Sequence, residues 1–422
     1  MSGILDALNK GLRLLKHGDD DFFDRMSSRY TVALLIVFAV IVSTGQFAGD
    51  PIDCFTPAEF NGQWVRYTDR LCWVQNTYYV PFDQSLPGPN EVKYYDREIS
   101  YYQWTPLILV MQAFLYAFPS VCWSFATHHA GYGVNRAVHM CNSPENINPE
   151  NRDRLIKFLS NQMDRLLGYR REYREGWVAS ARRKIAKKAN LRFGKRYGCH
   201  LVLIYLIVKL CFIGNAIGQI YLMNEIIGDG YTAYGWRVLK MAIDGEEWDE
   251  SPFFPRVTNC FFKIRRLGEN QHDYVVQCVL PINLFNEKIY LFLWWWTCLV
   301  ALMSTIGLFT YIPIFFSFSN KRYISKYLKI MGRNNPQEKE YRKVFVQQYL
   351  RPDGVLVLWL ISKNVTDLTI GEIVTAMYDN FVAYRSKLFR PNSPIVANKT
   401  APKSISLLDD AESGNDPARN PL

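Results

Sequence analysis

Four windows of this chain are long, apolar and almost free of charge: Thr31–Ala48, Thr105–Ala126, Cys199–Met223 and Ile289–Phe318. Each is close to the roughly 20 residues that a helix needs to cross the hydrocarbon of a bilayer. The first is a little short and the last a little long, by amounts that tilt and mismatch absorb. A buried helix of a large soluble protein can also be apolar all round. Four such windows, each with polar or charged flanks, predict four membrane spans instead. The first could serve as the apolar part of a secretory signal. It follows a mixed-charge segment with its own apolar stripe, so it reads as a retained anchor.

The remaining segments carry shorter patterns. In residues 1–30, Ile4, Leu5, Leu8, Leu12 and Leu15 make one stripe with Lys10, Arg13 and Lys16 largely off it, which predicts an amphipathic helix over 1–18. Such a helix lies on a leaflet or folds into a central pore, and periodicity does not choose. Segments 49–104 and 224–288 are rich in aromatics, Gly and Pro, with strand-like alternation at Cys260–Ile264 and Tyr274–Leu280. Segment 127–198 opens a helix at Asn148-Pro149, with Leu155, Phe158, Leu159, Met163, Leu166 and Leu167 as its apolar face. The stretch from Arg170 to Arg196 is basic and is also predicted to be helical. Residues 319–390 read as a small helical domain, and 391–422, rich in Ser, Asn, Asp and Pro, as a disordered tail. The predicted fold class is an all-α membrane protein, a four-transmembrane-helix bundle with short strands in its outer loops and a helical cytoplasmic domain.

Charge orients the spans. Lys and Arg number five in 1–30, sixteen in 127–198 and sixteen from Ser319 onward, against four in 49–104 and seven in 224–288. The last two segments carry eight and ten Asp/Glu. By the positive-inside rule both termini and the middle loop are cytoplasmic, and 49–104 and 224–288 are outer loops. The net charge of +10 therefore describes a face meeting anionic membrane lipid, not a nucleic-acid partner.

Cysteine placement agrees with that orientation. Cys54 and Cys72 fall in the first outer loop, Cys260 and Cys278 in the second, each pair spaced C-x17-C. Outside the cell such sets form disulfides, and four cysteines allow three connectivities. Cys122, Cys141, Cys199, Cys211 and Cys298 are expected as buried small apolar residues. No His/Cys spacing matches a metal site, no cofactor is implied, and no phosphate loop, H-E-x-x-H or G-x-S-x-G motif supports an enzyme. The two glycosylation sequons, at Asn364 and Asn398, lie on the predicted cytoplasmic side.

Inside the spans, Pro119 frees the carbonyl of Leu115 and predicts a kink or hinge. Lys209 is the one formal charge within a window and is too deep to snorkel, so it is expected to face protein. Gly214 and Gly218 give a G-x-x-x-G spacing. A single four-helix subunit has no room for an aqueous path, so conduction requires a ring of subunits around a shared axis.

The run Tyr101-Tyr102-Gln103-Trp104 directly before the second span, with Pro119 inside it, resembles the signature of the innexins, the invertebrate gap-junction proteins. Two cysteines per outer loop, Asp50-Pro-Ile-Asp-Cys54 and Cys278-Val-Leu-Pro-Ile-Asn-Leu-Phe-Asn-Glu-Lys288 are likewise innexin-like, and the resemblance covers about residues 20–390. It implies a homo-oligomeric ring of eight subunits, or a heteromeric one with other innexins, docking end to end with a hemichannel of the apposed cell for passive passage of ions and small solutes. It implies the nested disulfides Cys54–Cys278 and Cys72–Cys260. It implies that the N-terminal helix lines the pore, with Met1, Ser2, Gly3, Ile4, Leu5 and Asp6 at the inner mouth. Asp50 and Asp53 are candidate charge rings at the outer mouth. Two other readings fit the same loops: a non-conducting adhesion protein, and an undocked hemichannel that releases small molecules.

Overall fold

The computed structural model describes residues 20–81, 98–131, 133–169, 198–245, 251, 253–266, 268, 270–315, 319–333 and 338–388. The amphipathic stripe with Met1, Ser2, Gly3, Ile4, Leu5 and Asp6, the basic stretch Arg170–Arg196 and the tail from 391 lie outside the described residues.

Among the described residues, the first element is helix α1 (Phe22–Ala48). Strand β1 (Asp53–Phe55), helix α2 (Gly62–Gln75) and strands β2 (Thr77–Tyr78) and β3 (Glu98–Ile99) follow. Next come α3 (Tyr101–Ala130), α4 (Val134–Cys141), α5 (Pro149–Tyr169), α6 (His200–Ile227) and α7 (Tyr234–Asp244). Strands β4 (Val257–Arg266) and β5 (Asn270–Val279) precede α8 (Pro281–Phe315). The last four helices are α9 (Asn320–Ile330), α10 (Lys339–Val344), α11 (Arg351–Ser362) and α12 (Asp367–Leu388).

Helices α1, α3, α6 and α8 are the four that are long and apolar enough to cross a membrane. Each overruns its apolar window because hydrocarbon needs only about 30 Å of helix, whereas the headgroup regions accept polar helical turns. The overrun is largest at the start of α1, nine residues ahead of Thr31. A π turn at Met26–Tyr30 joins that extension to the window. Thr31 stabilises the turn by donating its hydroxyl to the Met26 carbonyl at 2.9 Å, and accepts the Trp296 indole N–H at 2.9 Å. Helix α3 runs through Pro106 and Pro119 without a break in its assignment.

The chain divides into two compact units. The first comprises residues 22–120 and 209–307. Its five-stranded antiparallel sheet has the order β1-β5-β4-β2-β3. The β4–β5 hairpin is paired along its whole length, from Val257 opposite Val279 to Arg266 opposite Asn270. By contrast, β1 pairs only with the last residues of β5, and β2 meets β4 at a single position, Tyr78 opposite Asn259. On its strands Cys260, Phe262 and Cys278 are buried, as are Phe254, Leu280 and Tyr290 of the same unit. Gly235 lies flat against Trp294: a Cβ there would stand 2.1 Å from the indole, whose N–H donates to the Thr232 carbonyl at 3.1 Å.

The second unit comprises Asp20 and Asp21 with residues from 121–208 and from 308 onward. A run of aromatic contacts threads it, Trp123 to Tyr205 (4.6 Å), Tyr205 to Tyr311 (4.7 Å), Tyr311 to Trp359 (6.3 Å) and Trp359 stacked on Tyr323 (4.7 Å). Helix α5 starts where Asn148 accepts the Glu150 N–H at 3.2 Å. Its buried stripe is Ile156, Leu159, Met163 and Leu167. Phe158, expected on that face, is exposed because position i+2 lies off this i, i+3, i+7, i+11 row.

The cysteines outside the two loops correct a second expectation. Only Cys199 is buried; Cys122 and Cys211 are exposed, and Cys141 and Cys298 intermediate. On helices that leave most of their apolar surface uncovered, a small apolar residue faces out as readily as in. A Cβ on Gly214 or Gly218 would meet nothing within 4 Å, so neither packs against another described element.

Candidate functional site

The two loops that join the spans in pairs, 49–104 and 224–288, are bound to each other covalently. Cys54 on β1 is bonded to Cys278 on β5, and Cys72 on α2 to Cys260 on β4. Strand register explains the first pairing, since Cys54 and Cys278 are directly opposite in the β1–β5 ladder. The second follows from α2, whose start is capped by Asn61 accepting the N–H groups of Gln63 and Trp64 at 3.2 and 3.1 Å. Buried Cys72 lies in the last turn of α2 and reaches Cys260 on the hairpin. Phe60 and Phe262 pack on Tyr274 beside it, at 5.3 and 5.6 Å. The sulfurs of Cys54, Cys72 and Cys278 lie within 4.8 Å of one another. All three are consumed in disulfides, so the cluster is no thiolate metal site.

Asp50 and Asp53, the candidate outer charges, are exposed at the end of α1 and on β1. The fold brings a third carboxylate to them, Asp69 on α2, which the sequence reading did not single out. Asp69 accepts the Cys54 N–H at 3.1 Å. Burial pushes its carboxyl above the usual aspartate value, the Cys54 amide pulls it back, and the charges of Asp53 and Asp50 raise it further. Asp50, Asp53 and Asp69 thus act on one another electrostatically beside Cys54, just after the first span.

Tyr101, Tyr102, Gln103 and Trp104 form a joint between the loops and two spans. The Tyr101 hydroxyl donates to the Phe253 carbonyl at 2.8 Å. Tyr102 is fully buried against Trp73 at 4.9 Å, and its carbonyl accepts the Gln46 amide of α1 at 2.7 Å. Gln103 donates to the Asn76 side chain at 2.8 Å and to the Trp73 carbonyl. Trp104 alone faces outward. Pro119 is buried on α3.

Lys209 is completely buried, as its depth required. Its partner is Asp24, 2.7 Å away and also buried, on the extension of α1. The Phe23 ring lies 6.0 Å from the ammonium, and Gly307 lets that ring approach α8, since a Cβ there would stand 3.1 Å from it. Asp24 lies ahead of the apolar window, where hydropathy gives no reason to expect a helix contact.

The innexin family model matches residues 20–381. The chain belongs to the innexin family. It is 35% identical over 367 residues to Innexin unc-9 of Caenorhabditis elegans, covering 86% of this chain and 93% of that protein. It is 33% identical over 400 residues to Innexin-10 of the same organism (92% and 70%) and 32% identical over 373 residues to Innexin-11 (86% and 79%). Innexins are gap-junction channel proteins. This chain is accordingly a membrane-spanning, oligomeric gap-junction channel subunit, and nothing favours a purely adhesive role.

Proposed function

We infer that this innexin forms a ring of eight identical subunits, with other innexins as alternative partners, and that two rings dock through the disulfide-tied loops to join two cytoplasms. The membership over residues 20–381 carries the reading. The covalently tied loops support it, because a docking surface whose parts are already locked together loses little conformational freedom on association.

In the orientation proposed, both termini and 127–198 face the cytoplasm and the tied loops face out, supported by the asymmetry of Lys and Arg between loops. The exposed basic positions Lys321, Arg322 and Lys329, just after α8, then meet anionic lipid. With that orientation go the proposed segments: spans at 31–48, 105–126, 199–223 and 289–318, outer loops at 49–104 and 224–288, a cytoplasmic loop at 127–198 and a cytoplasmic domain at 319–390. Met1, Ser2, Gly3, Ile4, Leu5 and Asp6 line the inner mouth, and Asp50 and Asp53, with Asp69 beside them, line the outer one. Every charge near the axis is multiplied by the symmetry of the ring, which makes these carboxylates the selectivity determinants. Pro119 acts as the hinge of α3.

Tracer passage tests the function. Small anionic and cationic dyes injected into one cell of an expressing pair are expected in the other, with the cation favoured. Neutralising Asp6, Asp50 and Asp53 together should remove that preference; an unchanged ratio would place the selectivity determinants elsewhere.

A further inference from the structure

Helix α6, the third spanning helix, begins at His200, and two amides of its first turn take their acceptor from a distant helix. Its first turn contains no acidic residue, and Gly198 and Cys199 before it offer no side-chain oxygen. The cap comes from 152 residues further along the chain. Oδ1 of Asp353 on α11 accepts the backbone N–H groups of Leu201 at 3.0 Å and Val202 at 3.1 Å. The attachment is two-way, because the Asp353 N–H donates to the Gly198 carbonyl at 2.7 Å.

Charge and backbone both mark this contact as specific. Asp353 follows Pro352 in the first turn of α11, so one carboxylate stands at the positive ends of two helices, its own and α6. It is 1% exposed, in a setting where a carboxylate needs strong donors. Arg351, two residues earlier, has φ 56° and ψ 175°, a region almost reserved for glycine. Gly198 has φ +64°, and a Cβ on it would stand 2.8 Å from the Cβ and Cδ of Arg351. The strained arginine and the obligatory glycine lie at the same contact, which has no room for any other residue at 198.

We propose that Asp353 is a positioning residue through which the C-terminal helices hold the first turn of the third spanning helix, so that displacement of α11 is transmitted to α6 and alters gating. When α11 is docked, the amides of Leu201 and Val202 are satisfied; when it withdraws, the first turn of α6 loses its cap and frays. The C-terminal helices thus exert leverage on a spanning helix without any contact of their own with the permeating ion.

Two readouts on the full-length protein test this. Hydrogen exchange of the purified channel is expected to show Leu201 and Val202 exchanging about five- to tenfold faster in Asp353→Ala, the size of a lost acidic N-cap. Asp353→Asn, which keeps a neutral acceptor, should show a smaller change. In paired cells the same variants should shift the voltage of half-maximal junctional conductance while junctional plaques keep their size. Gly198→Ala should reproduce both effects without touching the carboxylate, and Arg351→Gly added to it should restore only part of them, because the side-chain clash goes while the positive φ at 198 still strains an alanine. Unchanged exchange in Asp353→Ala overturns the proposal. So does faster exchange with an unaltered conductance–voltage relation, which would reduce Asp353 to a local cap. Should Asp353→Ala not reach plaques, Asp353→Asn decides by the same criteria. Exchange is measured without docking, so an absence of junctional current in the parent protein would count against the intercellular-channel reading while leaving the clamp test intact.

Discussion

A lysine in the middle of a spanning helix is tolerable only where another group shares its charge, and Asp24 does so for Lys209 at 2.7 Å with both side chains buried. Removing one side of the pair takes a buried counter-charge away from the other. Lys209→Met is expected to destabilise the subunit by about 3–5 kcal/mol, read as loss of surface delivery and a lower melting temperature. Asp24→Asn combined with Lys209→Met should recover most of the loss, and a double variant no better than the single would show that the pair is not the cause. That Lys209 faces protein was legible from its depth in an apolar window. Asp24 was not, since a hydropathy window ends where its charge begins and no average anticipates a π turn that continues the helix. A second carboxylate adds a pH dependence. Asp164 accepts the Tyr349 hydroxyl and, at 2.9 Å, the Asn380 amide, yet burial outweighs both and raises its pKa above the ordinary 3.8. The folded state therefore holds this proton more tightly than the unfolded one. The resulting stabilisation is full below about pH 3.8 and is lost as pH rises through the raised value. Thermal melts of Asp164→Asn should fall less than wild type between those limits; parallel curves would assign the pH dependence to other groups.

At the scale of elements, the loops are the part whose chemistry was legible and whose geometry was not. Two C-x17-C pairs are symmetric in spacing, so spacing alone leaves three pairings open. The β1–β5 register, with Cys54 opposite Cys278, is what distinguishes them, and register belongs to tertiary structure. The same limit hid Asp69, which is sixteen residues from Asp53 in sequence but held beside it by the N–H of Cys54. Each disulfide closes a chain segment of 224 or 188 residues, worth on the order of 5 kcal/mol in chain entropy. Cys54→Ser should leave the four spans inserted but abolish junctional conductance, with Cys72→Ser alike. Coupling that survives in Cys54→Ser would remove the tied loops from the docking mechanism. Helix α5 shows the opposite balance: its start at Asn148-Pro149 was legible from the cap, while its exposed Phe158 depended on which face α11 and α12 happen to cover.

For the whole molecule, four helices of the described chain expose apolar surface that no other described residue covers, with only 28–39% of each apolar window buried. Lipid and neighbouring subunits are the available covers, and an oligomeric innexin channel needs both. Four spans could be counted from hydropathy alone. The number of subunits could not, because closure of a ring depends on angles between surfaces that no periodicity records. In the proposed function this chain by itself builds a conduit between two cells. Dual whole-cell recording from paired cells, each expressing only this chain, tests it most directly. A junctional conductance absent from control pairs is the expected result. No junctional current, with the protein confirmed at the contact between the cells, would contradict it.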